Sequence, residues 1–299
     1  MNLTQLHNVY FIGIGGIGMS ALAKWFKHQG LSVAGYDRLS TPITHSLEVL
    51  GIEVHYEDNI SQLSNEYVED SQTLVVYTPA IPSSSKLLKF FKAEKFQVKK
   101  RSEVLGMITQ DHYSIAVAGT HGKTTTSSMV AHAMYSSTKV CSAFVGGIMT
   151  NYDSNLLMGD HDSVVVVEAD EFDRSFLQLS PDFTVVTSLD PDHLDIYGNS
   201  EKMKESYLTF IDKTHQGGDI LLHKDVSSKL GKDLSRKYRT YGLVGAHITA
   251  KNIRVQASKF IFDYSGEIDI ENLHLASPGF HNVENALAAI TVVLDFSKT

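Results

Sequence analysis

The stretch Ala118-Gly119-Thr120-His121-Gly122-Lys123-Thr124-Thr125-Thr126 follows the apolar run 114–118 and opens a helix-like segment. A lysine in the first turn of a helix opposes the helix dipole, so its placement there calls for an anion. Glycines allow the tight turn that points several backbone N–H groups at that anion. A strand, a glycine turn and a helix in this order define a phosphate cradle, and they commit this part of the chain to an α/β fold. Lys123 is placed to reach the outer phosphates and the Thr124 hydroxyl to face a magnesium ion. The cradle is contracted: only Thr120 and His121 separate its glycines, and Val117 stands where the earlier glycine of the usual, longer loop would fall.

The 299 residues suffice for two domains, and 42% hydrophobic with 20% charged residues is the balance of a soluble globular chain. The apolar runs, such as 164–167, are too short to span a bilayer, and the N-terminus lacks the pattern of a signal peptide, which points to the cytoplasm. A formal charge of −8 argues against a broad nucleic-acid surface, so anionic ligands must be held by local donors. The single cysteine, Cys141, excludes an internal disulfide framework and a thiolate metal cluster, and reads as a small buried hydrophobe.

Along the chain, apolar strand candidates at 9–12, 31–36, 52–55 and 73–77 alternate with helical stretches at 19–28, 43–50, 84–94 and 102–108. That alternation predicts a Rossmann-like parallel sheet with crossover helices over residues 1–112. A second α/β domain of P-loop type is predicted over 113–299, with strands at 114–118, 163–168, 183–187 and 219–223. An antiparallel ribbon is expected within 248–270 and a final helix at 283–294.

Four constellations carry chemistry. Gly13-Ile14-Gly15-Gly16-Ile17-Gly18 lies between a strand and a helix, and Asp37 ends the next strand. This spacing fits the backbone approach to a diphosphate, with a carboxylate for ribose hydroxyls, and NAD, FAD or a UDP-sugar would all satisfy it. Val164-Val165-Val166-Val167 runs into Glu168-Ala169-Asp170-Glu171-Phe172-Asp173, a buried strand ending in clustered carboxylates. Such a cluster calls for a compensating cation, and a hard ion such as Mg²⁺ shared with substrate phosphates suits it. Asp190-Pro191-Asp192-His193-Leu194-Asp195 again sets polar groups at a strand end, where the His193 imidazole is a candidate metal ligand or phosphate contact. In Pro278-Gly279-Phe280-His281-Asn282-Val283-Glu284-Asn285, two asparagines three apart share a helix face and suit an adenine edge, Asn282 alternatively serving as an N-cap.

In this order the four motifs resemble the Mur ligase family, the ATP-dependent amide-forming enzymes of peptidoglycan assembly. Within it, residues 11–23 with 119–126, and then 168–171 and 175–177, are most similar to members that act on UDP-N-acetylmuramate and L-alanine. The nearest rival reattaches recycled murein tripeptide to the same nucleotide, and Leu177-Gln178-Leu179-Ser180-Pro181 resembles the alanine-adding members more. The resemblance implies ATP and Mg²⁺ as cofactors, an acyl-phosphate intermediate and the first peptide-adding step of cell-wall precursor synthesis. It assigns catalysis to Lys123, Glu168 and His193, and metal binding to Thr124, Glu168 and His193. ATP contacts fall on Gly119, Thr120, His121, Gly122, Lys123, Thr124, Thr125, His281, Asn282 and Asn285. The UDP-sugar falls on Gly15, Gly16, Ile17, Gly18 and Asp37, with Thr78 and Ala80 as further candidates. Family members carry a third, C-terminal domain that helps bind the amino acid. The expectation is that it is absent here and that this chain alone lacks full turnover. An NAD(P)-dependent oxidoreductase would explain residues 13–18 and Asp37 but not the phosphate loop or the carboxylates. A non-catalytic nucleotide-binding module is the other alternative.

Overall fold

All five residues from Asn8 to Ile12 are buried, the pattern of a strand covered on both faces. In the computed structural model, which describes residues 3–138, 141–159, 164–191 and 197–298, this strand is the centre of the first of two compact units. The units are Met1–Ile108 with Gly146–His161, and Thr109–Val145 with Asp162–Thr299. The sequence reading divides the chain at 112/113; contacts divide it at 108/109 and carry a short internal segment over to the first unit. Among the described residues no helix is long and apolar enough to cross a membrane.

In the first unit β1 (Asn8–Ile12), β2 (Ser32–Tyr36), β3 (Glu53–His55), β4 (Thr73–Tyr77) and β5 (Gln97–Lys100) form a parallel sheet in the order β3-β2-β1-β4-β5. The strand order reverses at β1, which opens a crevice at the carboxyl ends of β1 and β4. The accompanying helices are α1 (Ile17–His28), α2 (Pro42–Val49), α3 (Asn65–Glu69), α4 (Lys86–Ala93) and α5 (Arg101–Gln110). The starts of α2 and α4 are set by capping side chains. Thr41 and Thr44 cap α2 reciprocally at 2.8 and 3.3 Å, with Pro42 at the first helical position. At α4 the Asp58 carboxylate accepts the N–H groups of Lys86 and Leu87 at 2.9 and 3.0 Å, where negative charge complements the helix dipole. Tyr10, Ile12, Val75, Leu87, Leu88 and Phe91 form a core cluster between sheet and helices, each contributing roughly 1.5–3 kcal/mol by burial. The edge strand β5 was not foreseen, because Gln97, Lys99 and Lys100 give it a polar face that edges tolerate.

The second unit follows with β6 (Ser114–Ala118), α6 (Lys123–Thr138), β7 (Cys141–Met149), β9 (Val164–Glu168) and β10 (Phe183–Val186), while the end of β7 and all of β8 (Ser154–Leu157) fall in the segment 146–161 counted with the first unit. After α7 (Ser200–Asp212) come β11 (Asp219–His223), α8 (Lys224–Leu230) and β12 (Arg239–Tyr241). The sheet order is β12-β11-β10-β6-β9-β7-β8, with β6 parallel to both β9 and β10. The expected ribbon is a separate three-stranded antiparallel sheet, β13 (Thr249–Gln256), β14 (Lys259–Ser265) and β15 (Asp269–Leu275). The last helix, α9 (Phe280–Phe296), packs against α6 and starts before the expected 283. Cys141 is buried, and burial pushes its thiol pKa up to about 12, so it behaves as the inert hydrophobe its solitude suggested.

Candidate functional site

Because β6 lies between β9 and β10, the segments leaving the carboxyl ends of all three strands converge. The first is the glycine turn 119–122, with φ of 139° at Gly119 and 81° at Gly122, backbone that side chains rarely adopt. Space forbids a side chain at Gly119 as well, since a Cβ there would lie 2.1 Å from Thr187 Oγ1 and 2.8 Å from the Ser188 amide nitrogen. The turn is pinned from the β10 side. Ser188 Oγ accepts the His121 N–H at 2.7 Å and lies 2.9 Å from Thr120 Oγ1, while Thr187 Oγ1 donates to the carbonyls of Ala118 and His121. Thr120 Oγ1 in turn accepts the Asp190 N–H at 3.1 Å.

From the β9 side come the carboxylates. Thr124 Oγ1 donates to Glu168 Oε1 at 3.0 Å, pairing the first turn of α6 with the last residue of β9. Lys123 Nζ donates to Glu171 at 2.9 Å and to the Gly119 carbonyl at 2.6 Å. The lysine side chain is 14% exposed and the glutamate 1%. Among the described residues no group of three or more His, Cys, Asp or Glu side chains is disposed to hold a metal. The Thr124 hydroxyl and Glu168 carboxylate form a two-donor oxygen set, which suits a hard cation whose other ligands are phosphate oxygens and water. His193, the third expected ligand, lies outside the described residues.

Beside the turn is a cleft of about 300 Å³. It is lined by His121, Gly122, His281 and Asn285, which the sequence reading singled out, and by Ser188, Asp190, His223, Lys229 and Glu284, which it did not assign to the site. Asn285 is held: Thr126 Oγ1 donates to its carbonyl oxygen at 3.1 Å, and its amide reaches Asn282 Oδ1 at 3.4 Å. The N-cap of α9 is Gly279, so Asn282 sits inside the helix and its amide donates to the Pro278 carbonyl at 2.7 Å. Polar groups are paired at the rim. His223 Nε2 lies 3.0 Å from Glu284, and Lys229 Nζ donates to Asp190 at 2.7 Å, which holds the Asp190 carboxyl below the usual carboxylate range. His223 and Asp190 were accessible to the rule that strand ends carry the site, whereas Lys229 and Glu284 gave no separate signal.

The first unit repeats the strand–turn–helix device with other chemistry. Gly13 has φ of 91°, and a Cβ there would meet Thr78 Cγ2 at 3.0 Å, so the turn that follows β4 lies against the loop. Asp37 Oδ2 accepts the Gly15 N–H at 2.8 Å and Oδ1 accepts that of Leu39 at 3.1 Å, so this carboxylate orders the loop itself. Gly16 caps α1, and Gly18 in its first turn leaves room for the Arg101 guanidinium, which a Cβ would meet at 2.7 Å. Ile17 is partly exposed, and its carbonyl accepts from the Asn155 amide, from the segment 146–161. Ala80 is exposed in a turn closed by Ile81 N–H to the Thr78 carbonyl at 3.0 Å. Arg101 and Asn155 carried no motif and were not foreseen.

Residues 8–113 match the family model described as Mur ligase family, catalytic domain, and residues 117–293 match the Mur ligase middle domain. The UDP-N-acetylmuramate–L-alanine ligase of Cytophaga hutchinsonii is 44% identical over 97% of this chain and 63% of its own length. The enzyme of the same name from Flavobacterium johnsoniae is 46% identical over 98% of this chain and 63% of its own. The chain thus spans somewhat less than two thirds of the curated relatives it matches. Among solved structures, the UDP-N-acetylmuramate–alanine ligase of Thermotoga maritima superposes with a TM-score of 0.82 at 28% identity, covering 97% of this chain and 65% of that one. A ligase for UDP-N-acetylmuramate and L-alanyl-γ-D-glutamyl-meso-diaminopimelate from Neisseria meningitides gives 0.83 at 24% identity, covering 97% and 93%, a likeness of fold.

Proposed function

The chain belongs to the Mur ligase family, and from that premise we propose that it serves the ATP-dependent joining of L-alanine to UDP-N-acetylmuramate. The observation that carries this reading is the convergence of Lys123, Thr124 and Glu168 on one turn beside the 300 Å³ cleft, in a chain whose 44–46% identical relatives bear that name. We place the protein in the cytoplasm, where ATP and UDP-activated sugars are available.

In this reading the second unit takes ATP. The backbone N–H groups of 119–122 and the amino end of α6 receive the phosphates, Lys123 neutralises the outer ones, and His281 and Asn285 orient the base in the cleft, with Asn282, outside the cleft lining, holding the Asn285 amide. Thr124 and Glu168, with His193, are the residues that would hold Mg²⁺, which when bound neutralises charge on the phosphate oxygens. The first unit takes the UDP-sugar, its diphosphate on the 15–18 backbone at the start of α1, with Asp37 and Thr78 alongside. The muramyl carboxylate attacks the γ-phosphorus to give an acyl phosphate and ADP. The alanine amine then adds to the acyl carbon, loses its proton and expels phosphate. The first step brings two anions together and the second builds an oxyanion and releases phosphate, which is why the residues offered are donors and cations rather than a strong base.

The first test is calorimetric titration of this chain with UDP-N-acetylmuramate, with UDP-N-acetylglucosamine and NADH as comparators, and separately with Mg-ATP. Selective binding of the muramyl nucleotide together with ATP supports the proposal. Binding of NADH in its place overturns the ligase reading in favour of an oxidoreductase.

A further inference from the structure

The ammonium of Lys123 is already engaged: it meets the Glu171 carboxylate and the Gly119 carbonyl, both within 3 Å. Glu171 is not a flexible surface carboxylate that happens to be near. It is 1% exposed, and its backbone is fixed by a buried Tyr197, whose hydroxyl donates to the Glu171 carbonyl at 2.7 Å. The same carbonyl accepts the Arg174 N–H at 3.0 Å. Asp173 and Arg174 are both left-handed, at φ of 52° and 54°, with the Arg174 guanidinium 5.5 Å above the Tyr197 ring. Two successive non-glycine residues in that region are strained, and such strain persists only where the surroundings impose it. Just before this pair Phe172 is exposed and Glu171 is buried against the lysine.

We propose that Glu171 gates the phosphate cradle: its carboxylate holds Lys123 until a triphosphate displaces it, and so sets the affinity of the site for the outer phosphates. This rests on the ATP reading above. A cation cannot fully satisfy a buried carboxylate and an incoming polyphosphate at the same moment, and the two anions repel each other in a site with little water. The ligand therefore binds only the fraction of molecules whose lysine is released, and its apparent affinity falls by that fraction. After transfer the same carboxylate recaptures the lysine, which favours departure of the phosphate products.

The test compares the wild-type chain with Glu171→Gln by calorimetric titration with the magnesium complex of a non-hydrolysable ATP analogue, with Mg-ADP and with AMP. Removing the charge is expected to tighten the triphosphate about tenfold, ADP less, and AMP not at all, since a gate on Lys123 acts in proportion to the phosphates it reaches. An unchanged or weaker triphosphate affinity overturns the proposal, and so does an equal change for all three ligands, which a general structural role would produce. Glu171→Asp keeps the charge but shortens its reach; it is expected to give a smaller gain and decides the matter if Glu171→Gln does not fold. A wild-type chain that binds none of the three nucleotides defeats the ATP reading itself, a result distinct from a wild type that binds and a variant that binds no better.

Discussion

The two glycine turns, 13–18 and 119–122, stand at the same place in their units, after a fully buried central strand and before a helix, yet they are completed by opposite charges. In the first, a carboxylate, Asp37, ties up a loop N–H at 2.8 Å, and the first turn of the helix carries no lysine. In the second, the helix opens on Lys123, and the carboxylates approach from the neighbouring strand to meet the lysine and Thr124. The difference teaches what the device does by itself and what must be added. On the proposed function the first turn has only to hold a diphosphate that does not react, for which backbone donors, a helix dipole and the Arg101 guanidinium beside Gly18 serve. Moving a phosphoryl group needs mobile positive charge, and positive charge in a half-buried turn needs anions to balance it in the absence of substrate.

The sharpest break in the comparison comes from adding one methyl group to each turn. Gly119→Ala forces a Cβ into Thr187 and the Ser188 backbone at a φ of 139°, and is expected to lower stability by about 3–5 kcal/mol, read as a large drop in the thermal midpoint. Gly15→Ala meets the side chains of Thr44 and Asp37, not backbone, at 2.8 and 2.9 Å, and is expected to cost about 1–3 kcal/mol; equal losses would mean that the two turns are equally rigid. Next in size, Lys123→Ala is expected to weaken Mg-ATP about 10²-fold while leaving UDP-N-acetylmuramate binding within about twofold, measured by titration with each. A parallel loss of both ligands would end the separation of roles. Asn285→Ala removes the partner of the buried Thr126 hydroxyl and a wall of the cleft, and is expected to cost about 1–3 kcal/mol in stability and to weaken AMP as much as ATP.

The smallest effect distinguishes the units by pH. Burial holds the His55 pKa below its ordinary value, outweighing the raising effects of Glu57, Glu53 and Asp58, and its ring meets the Tyr10 hydroxyl inside the first unit. A histidine depressed in the folded state contributes stability that is fully present above its unfolded pKa of about 6.5 and is lost as pH falls through the lower folded value. The thermal midpoint of the wild type is therefore expected to fall between pH 7.5 and 5.5 more than that of His55→Gln. Identical pH profiles would show that His55 is solvated and that the loss of stability in acid arises elsewhere.

Strands β4, β6 and β11 were legible residue for residue, because a short apolar run bounded by polar or glycine positions has few other uses. The Thr41–Thr44 box of α2 and the Ser85 cap of α4 are equally local, set by hydrogen bonds three residues apart, and the glycines of the two turns stand out in the sequence. The family resemblance needed no more than these, and the family models match both halves of the chain. Less was legible where a neighbour decides: polar β5 exists because β4 pairs with it, and Gly146–His161 belongs with the first unit through contacts that have no signature along the chain.

The sequence by itself determined the two strand–glycine–helix turns and the α/β class, since both follow from patterns that span a few residues. Only the tertiary structure decided what each device faces. Glu171 reaches Lys123 across 48 positions, Ser188 reaches His121 across 67, and Asn285 reaches Thr126 across 159. The sheet order that puts β6 between β9 and β10 brings these partners together, and that order is settled by burying whole strand faces at once, a sum over many distant contacts that no local pattern contains.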